Sequence, residues 1–192
     1  NIIGKISDNS QKTKDILKKT VKIKNFPKLT FDEAVEILVK NGKKKYVNFT
    51  GHGRDITSDG EIELMKILNA NTPIWLTDFD RDRVPFYQKP NLKNPDKTIN
   101  ADLLFPPIIV GSFGGEIVGS GQRQNNVKEM HESLKRQSVS SVNYKWYIDL
   151  RKHKKYRITS GFGLSIERFI AWSLAKENIR DVILYPRLKN TI

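Results

Sequence analysis

Two glycine-rich segments, "GSFGGEIVGSGQRQ" and "GFGLSIERFIAW", constrain this chain more than any other feature of its sequence. The first sets Gly111, Gly114, Gly115, Gly119 and Gly121 around the short strand pattern "EIV". A backbone stripped of side chains at that density is one that something must approach closely. The second runs from Gly161 to Trp172, and Ile166, Phe169, Ile170 and Leu174 recur at helical spacing, so a helix is predicted to begin near Ser165. Arg168 then stands in the first helical turn. Unpaired N–H groups and the partial positive charge of a helix start already favour an anion there, and a guanidinium fork adds a site suited to phosphate. Spacing alone is also met by Glu167 and Arg168 lying on a solvated helix face.

Glu116 sits among the glycines of the first segment, where a carboxylate on a bare strand could hold Mg²⁺ beside phosphates. Seven residues on, Arg123 in "GQRQ" could grip a carboxylate or amide oxygen through two N–H groups. Singly, each reads first as a surface ion pair; together with Arg168 they outline a wall for a nucleotide and a small polar substrate. Other constellations carry less. His52, His131 and His153 lack metal-ligand spacing, and "GHGRD" is neither a Walker loop nor a dinucleotide fingerprint. "YKWYIDLRKHKKYR" interleaves aromatic and basic residues, a pattern shared by RNA contacts and by packed aromatics beside solvated lysines.

The rest of the pattern is that of one folded unit. Thr30 with Glu33 forms a capping box that opens a helix on Phe31, Ala34, Ile37 and Leu38, stopped at Gly42. Ser58 with Glu61 reads as a second box, opening a helix on Ile62, Met65 and Leu68. "TPIWLTDF" reads as a buried strand, "PFYQ" and "ADLLF" as antiparallel strands joined by a loop, and "NNVKEMHESLKRQ" as a helix with Val127, Met130 and Leu134 on one side. "YKWYIDLRKH" fits helix or strand, and residues 1–25 are polar and read as an extension or weak helix. The chain has 192 residues, no cysteine and no apolar run near the roughly 18 residues of a membrane helix, which excludes a disulfide framework, cysteine-held metal and a helical membrane span. A reducing, cytoplasmic setting is expected. The net charge of +13 favours polyanionic partners such as nucleic acid or nucleotides, although lysine runs such as "KNGKKKY" supply much of it.

Taken in order, "FPKLTFDEAVEIL", "GRDITSDGEIELMK", "TDFDRDRVPFYQKP", "ADLLF", "GEIVGSGQRQ" and "YKWYIDLRK" resemble the class II aminoacyl-tRNA synthetases of the aspartyl, asparaginyl and lysyl subgroup. "GFGLSIERFIAWSLAKENIRDVILYPR" resembles their third signature motif, and the likeness runs from about Phe26 to Arg187. "YKWYIDLR" and "ENIRDVILYPR" look more like asparaginyl than aspartyl enzymes, and the synthetase-derived archaeal asparagine synthetases share the same core.

The resemblance implies an α+β domain, an antiparallel sheet flanked by helices, with residues 1–25 as a polar extension and 26–192 as the C-terminal half of the catalytic domain. It implies that Arg168 grips the γ-phosphate of ATP with Ser165, Ile166 and Glu167 beside the nucleotide. It further implies that Glu116 binds ATP through Mg²⁺, that Gly119 lies near metal and amino acid, and that Arg123 reads the side-chain oxygen of the amino acid. The implied reaction is activation of asparagine, or of aspartate in the alternative, to an aminoacyl-adenylate, followed by transfer to tRNA in an enzyme that is a homodimer when complete. A non-catalytic synthetase-like paralogue is the alternative of a different class.

The chain departs from the family pattern at several points. Ser165 stands where Gly is usual, Ile158 and Thr159 where a Pro-His pair is usual, and Gln124 where Glu is frequent; "PPIIVGSFGG" lengthens the connection between Asp102 and Glu116. The second class II motif supplies an Arg and a Glu upstream of "FPKLTFDEA", whereas the first arginine here is Arg54. Motifs one and two and the anticodon-binding barrel are therefore expected outside this chain, and the isolated chain is expected not to activate an amino acid.

Overall fold

Alternating apolar residues and two helix caps assemble most of the framework, for which a computed structural model describes residues 11–186. The first ten residues of the expected extension, and Arg187 at the end of the family likeness, lie outside the described residues. Five strands form one sheet in the order β1 (Lys28–Thr30), β4 (Ile74–Thr77), β5 (Asn100–Phe105), β6 (Gly115–Gln122) and β7 (Ser160–Leu164). All neighbours are antiparallel except the edge pair β1 and β4, which is parallel. β2 (Val47–Thr50) and β3 (Gly53–Ile56) make a separate hairpin. The expected α+β architecture is thus present.

Successive residues of a strand face opposite sides, and β5 shows what that does here. Leu104 joins Phe31 and Leu38 of α2 (Phe31–Lys40), Leu64 and Met65 of α3 (Ser58–Ile67) and Leu76 in one core cluster. Leu103 and Phe105 join Leu17 of α1 (Gln11–Thr20), Ile117 and Trp172 of α6 (Ile166–Ser173) in another. Helices therefore cover both faces of the sheet. A third cluster sets Phe86 against Met130 and Leu134 of α4 (Val127–Arg136) and Ile148 of α5 (Lys145–Lys152).

Thr30 and Glu33 form the predicted capping box, with the Thr30 N–H donating to Glu33 Oε2 at 2.7 Å. The second box is corrected. Thr57, not Ser58, caps α3: its hydroxyl accepts from Gly60 N at 3.1 Å. Glu61 then lies one position past the box and its carboxylate goes elsewhere. "PFYQ" is also corrected. It is no strand; Gln88 and Pro90 make only isolated bridges, to Arg123 and Thr98, because Pro85 and Pro90 lack N–H donors and Phe86 is drawn under α4 and α5. "YKWYIDLRKH" resolves as the helix α5 and the weak-helix reading near the start holds for α1. In α6 the buried face is Ala171 and Trp172, whose indole N–H donates to Pro106 O at 2.8 Å; Ile166 and Phe169 point outward, 62% and 42% exposed.

Candidate functional site

Glu116 and Gly119 lie three residues apart on β6, which in a regular strand would put them on opposite faces. A register shift prevents this. Leu103 pairs with Val118 but Leu104 pairs with Glu116, so Ile117 is an extra residue that drops into the core beside Trp172. Glu116 is thereby returned to the face of Asp102, Gly119 and Gly121. Across the next ladder Gly119 faces Gly163 and Gly121 faces Gly161, leaving that face of β6 and β7 without side chains over two rungs.

The glycines are needed because charged groups lie over them. A Cβ on Gly119 would stand 2.9 Å from Glu116 Oε1 and 3.3 Å from Asp102 Oδ1. One on Gly161 would stand 2.8 Å from Arg123 Nη2. The bare strip therefore carries Asp102 and Glu116 at one end and Arg123 at the other. Arg123 is held by Gln88 Oε1 at 3.3 Å and Gly121 O at 3.1 Å, with Tyr87 under its guanidinium at 5.3 Å. Its backbone N–H donates to Thr159 O at 2.8 Å, so the unusual Thr159 serves through its main chain. Gln124 is buried and its Oε1 accepts from both Asn125 N and Asn126 N, 2.9 and 3.0 Å, shaping the turn before α4.

Arg168 reaches the acidic end from α6. Its Nη1 donates to Glu116 O at 2.8 Å and to Glu116 Oε2 at 3.0 Å. Ser165 caps α6, accepting from Arg168 N at 3.2 Å, which gives this departure from the family pattern a local reason. Glu167 is exposed and lies 3.4 Å from the Ser165 hydroxyl; Ile166 faces solvent. The structure thus gathers Glu116, Arg168, Gly119 and Ser165, sets Arg123 apart along the strip, and brings Ile166 to no polar partner.

Two acids not among the predicted site residues join them. Asp102 faces Gly119 directly across β5 and β6, and Glu61 of α3 accepts from Glu116 N at 2.9 Å. Burial and then the charge of Glu116 push Asp102 up to about 7. Burial, reinforced by Glu116 and Asp102, pushes Glu61 up to about 8 against the opposing pull of the Glu116 N–H and Arg168. Asp102 was visible as the single acid in an apolar strand. Glu61 was hidden because its spacing from Ser58 matched a helix cap.

Three carboxylates and one guanidinium leave the cluster short of positive charge. Among the described residues no set of three Asp, Glu, His or Cys side chains closes into a metal cage. Mg²⁺ carried with a nucleotide asks for less: one or two carboxylates, with waters and phosphate oxygens completing its shell. Crowded, desolvated acids beside a side-chain-free strip fit such a cation. A cavity of about 270 Å³ takes Glu61, Glu116 and Arg168 into its lining. The 420 Å³ cleft near Ala101, Ser120 and Phe162 contains no charged lining residue, and these cross-strand partners belong to the other face of the strands, so it lies apart from the Glu116–Arg168 cluster.

The model of the class II tRNA synthetases for D, K and N matches residues 1–189. The chain belongs to that family. It is 33% identical over 162 residues to asparagine–tRNA ligase of Pyrococcus abyssi, covering 84% of this chain and 34% of that protein. It is 34% identical over 173 residues to the Phytoplasma australiense ligase, covering 89% and 35%. Its fold superposes on asparaginyl-tRNA synthetase from Pyrococcus horikoshii complexed with asparaginyl-adenylate with a TM-score of 0.76 at 28% identity, over 99% of this chain and 39% of that one. This synthetase chain therefore spans about a third of the length of the curated relatives it matches. Its bare strip between β6 and β7, with acids and Arg168 at one end and Arg123 at the other, lies on the face of the sheet that also carries α2 and α3.

Proposed function

We propose that this chain binds ATP and asparagine as the C-terminal half, residues 26–192, of the catalytic domain of an asparaginyl-tRNA synthetase-like ligase. The observation that carries this reading is the Glu116–Arg168 pair, 3.0 Å apart, at one end of a glycine strip that ends at Arg123. Arg168 would take the γ-phosphate, its charge offsetting that of the departing pyrophosphate. Glu116 and Asp102 would hold the nucleotide's Mg²⁺, which when bound neutralises phosphate charge. Gly119 leaves room beside them, and Ser165, by capping α6, orients Arg168. Ile166 and Glu167 flank the nucleotide.

Arg123, fixed by Gln88 and Tyr87, would donate to the side-chain oxygen of asparagine. The substrate α-carboxylate then attacks the α-phosphorus, its oxygen bonding to phosphorus as the bond to pyrophosphate breaks. The resulting asparaginyl-adenylate passes its acyl group to a hydroxyl of the tRNA 3′ end, releasing AMP. No covalent enzyme intermediate is required; alignment and charge neutralisation do the work. The names of the relatives and the asparaginyl-adenylate complex support asparagine as substrate. No helix among the described residues is long and apolar enough to cross a membrane, and with a cysteine-free sequence this supports a cytoplasmic setting.

The test is ATP–pyrophosphate exchange with asparagine, aspartate and lysine, on the longest natural polypeptide that includes these residues and on the 192-residue chain beside it. Asparagine-dependent exchange by the longer protein is expected, with none by the 192-residue chain, and Arg123→Leu should erode the preference for asparagine over leucine. Exchange that responds equally to all amino acids would refute the assignment.

A further inference from the structure

Glu116 is gripped on three sides by two helices, α6 through Arg168 and α3 through Glu61. Arg168 holds its carbonyl and its carboxylate, as described above. Its N–H lies next to the register shift that leaves Ile117 as the extra residue. That N–H donates to Glu61 Oε2 at 2.9 Å, across 55 residues of sequence.

The approach of Glu61 is built into the backbone around it. Gly115, immediately before Glu116, has φ +93°, a left-handed conformation that favours glycine, and a Cβ there would stand 2.6 Å from Glu61 Oε2. Thr57 rather than Ser58 caps α3, which leaves the Glu61 carboxylate free of the capping role its spacing suggests. The Glu61 backbone N–H is meanwhile bonded to Thr57 O at 2.9 Å, so the side chain leaves a fixed first turn.

We infer that Glu61 is a positioning residue for Glu116: it holds the shifted backbone of β6 so that the Glu116 carboxylate stays beside Asp102, where the nucleotide's cation is received. The inference rests on the reading of Glu116 given under Proposed function. Glu61 acts through the Glu116 amide and need not touch the metal or the nucleotide. Residues that orient metal-binding carboxylates are typically worth about 10- to 100-fold in metal affinity.

The test uses the 192-residue chain and two readouts. One is ATP affinity with Mg²⁺ divided by ATP affinity in a chelator, the metal gain; the other is solvent exchange of the Glu116 amide by ¹⁵N NMR without ligand. Glu61→Ala should cut the metal gain about tenfold and speed exchange of that amide. Glu61→Gln retains an oxygen acceptor and should restore both to within about twofold. Should Glu61→Ala fail to fold, Glu61→Asp, which withdraws the carboxylate by one methylene, gives the same comparison.

The outcomes separate the two ideas. A metal gain lost in Glu116→Gln but kept in Glu61→Ala or Glu61→Asp, with amide protection unchanged, overturns the positioning role alone. A metal gain that survives Glu116→Gln, or its absence from the unaltered chain, overturns the reading of Glu116, and the amide measurement still decides whether Glu61 holds the strand.

Discussion

Two half-buried charge clusters lie in this molecule, and they answer burial in opposite ways. In the first, Asp32, Arg54, Asp80 and Lys97 tie α2, the β2–β3 hairpin and the long 78–97 segment together. Arg54 grips Asp80 with Nε to Oδ2 at 2.9 Å and Nη2 to Oδ1 at 2.7 Å, and also meets Asp32. Lys97 bridges Asp80 Oδ1 at 2.8 Å and Asp32 Oδ1 at 2.6 Å, while both cations lie over the Phe31 ring. Two acids meet two bases. Burial works against ionising Asp80, yet the hydrogen bonds of Arg54 and Lys97 outweigh it and hold the carboxyl well below the usual range.

The second cluster sets Glu61, Asp102 and Glu116 against Arg168 alone. Burial there is only partly offset, and Glu61 and Asp102 are pushed up to about 8 and about 7. The desolvation is of the same kind in both places; the difference is whether the countercharge is already folded in. A closed network holds structure together, whereas an acid-rich one is short of countercharge, which the Mg²⁺ of the proposed function would supply. That contrast is how a candidate site is told from a structural ion network, since both show perturbed carboxylates.

The largest expected effect tests the closed network. Asp80→Ala leaves Lys97, which is 8% exposed, and Arg54 to share the exposed Asp32 alone, and should cost about 3 kcal/mol of folding free energy measured by urea unfolding. A loss under about 1 kcal/mol would mean that the network is no more than a set of surface pairs. Next comes Arg168→Ala. Removing a charge-assisted contact at a partly exposed site should weaken binding of ATP by about 2 kcal/mol, roughly 30-fold, with a much smaller effect on AMP. Equal loss for both nucleotides would take Arg168 away from the terminal phosphate.

The smallest effect has the most informative sign. Asp80, with a folded pKa below its unfolded value, contributes stability above about pH 4 that is lost as pH falls further. Asp102 has the opposite shift: the folded state binds the extra proton, so stability falls as pH rises from about 4 toward 7 and stays low beyond. Asp102→Asn should therefore stabilise the metal-free chain by about 1 kcal/mol at pH 8 and by almost nothing at pH 4, read from thermal melts at both pH values. Destabilisation at pH 8 would show that the acid-rich cluster is as closed as the other one.

Much of the molecule was legible in local pattern. The Thr30–Glu33 box, the Gly-x-Gly ahead of a helix capped at Ser165, and the apolar spacing of α4 are all decided within four residues, the range over which helix hydrogen bonds and caps operate. The same range misled at Ser58 and Glu61, because a capping pattern does not say which of two adjacent hydroxyls, Thr57 or Ser58, will take the cap. It misled again at "PFYQ", where strand-like residues found packing partners before hydrogen-bonding ones.

What the sequence by itself determined is therefore the supply of parts: a bare glycine strip, Arg168 in a first helical turn, and Glu116 and Arg123 seven residues apart on one segment. Tertiary structure alone decided that Glu116 faces the strip. Period-two alternation sends it to the side away from Gly119, and only pairing with β5, which skips Ile117 into the core beside Trp172, turns it back. Asp102 and Glu61 enter for the same reason. Their partners lie 14 and 55 residues away in sequence, and contacts at that distance are set by how the sheet and α3 pack, which no local spacing encodes.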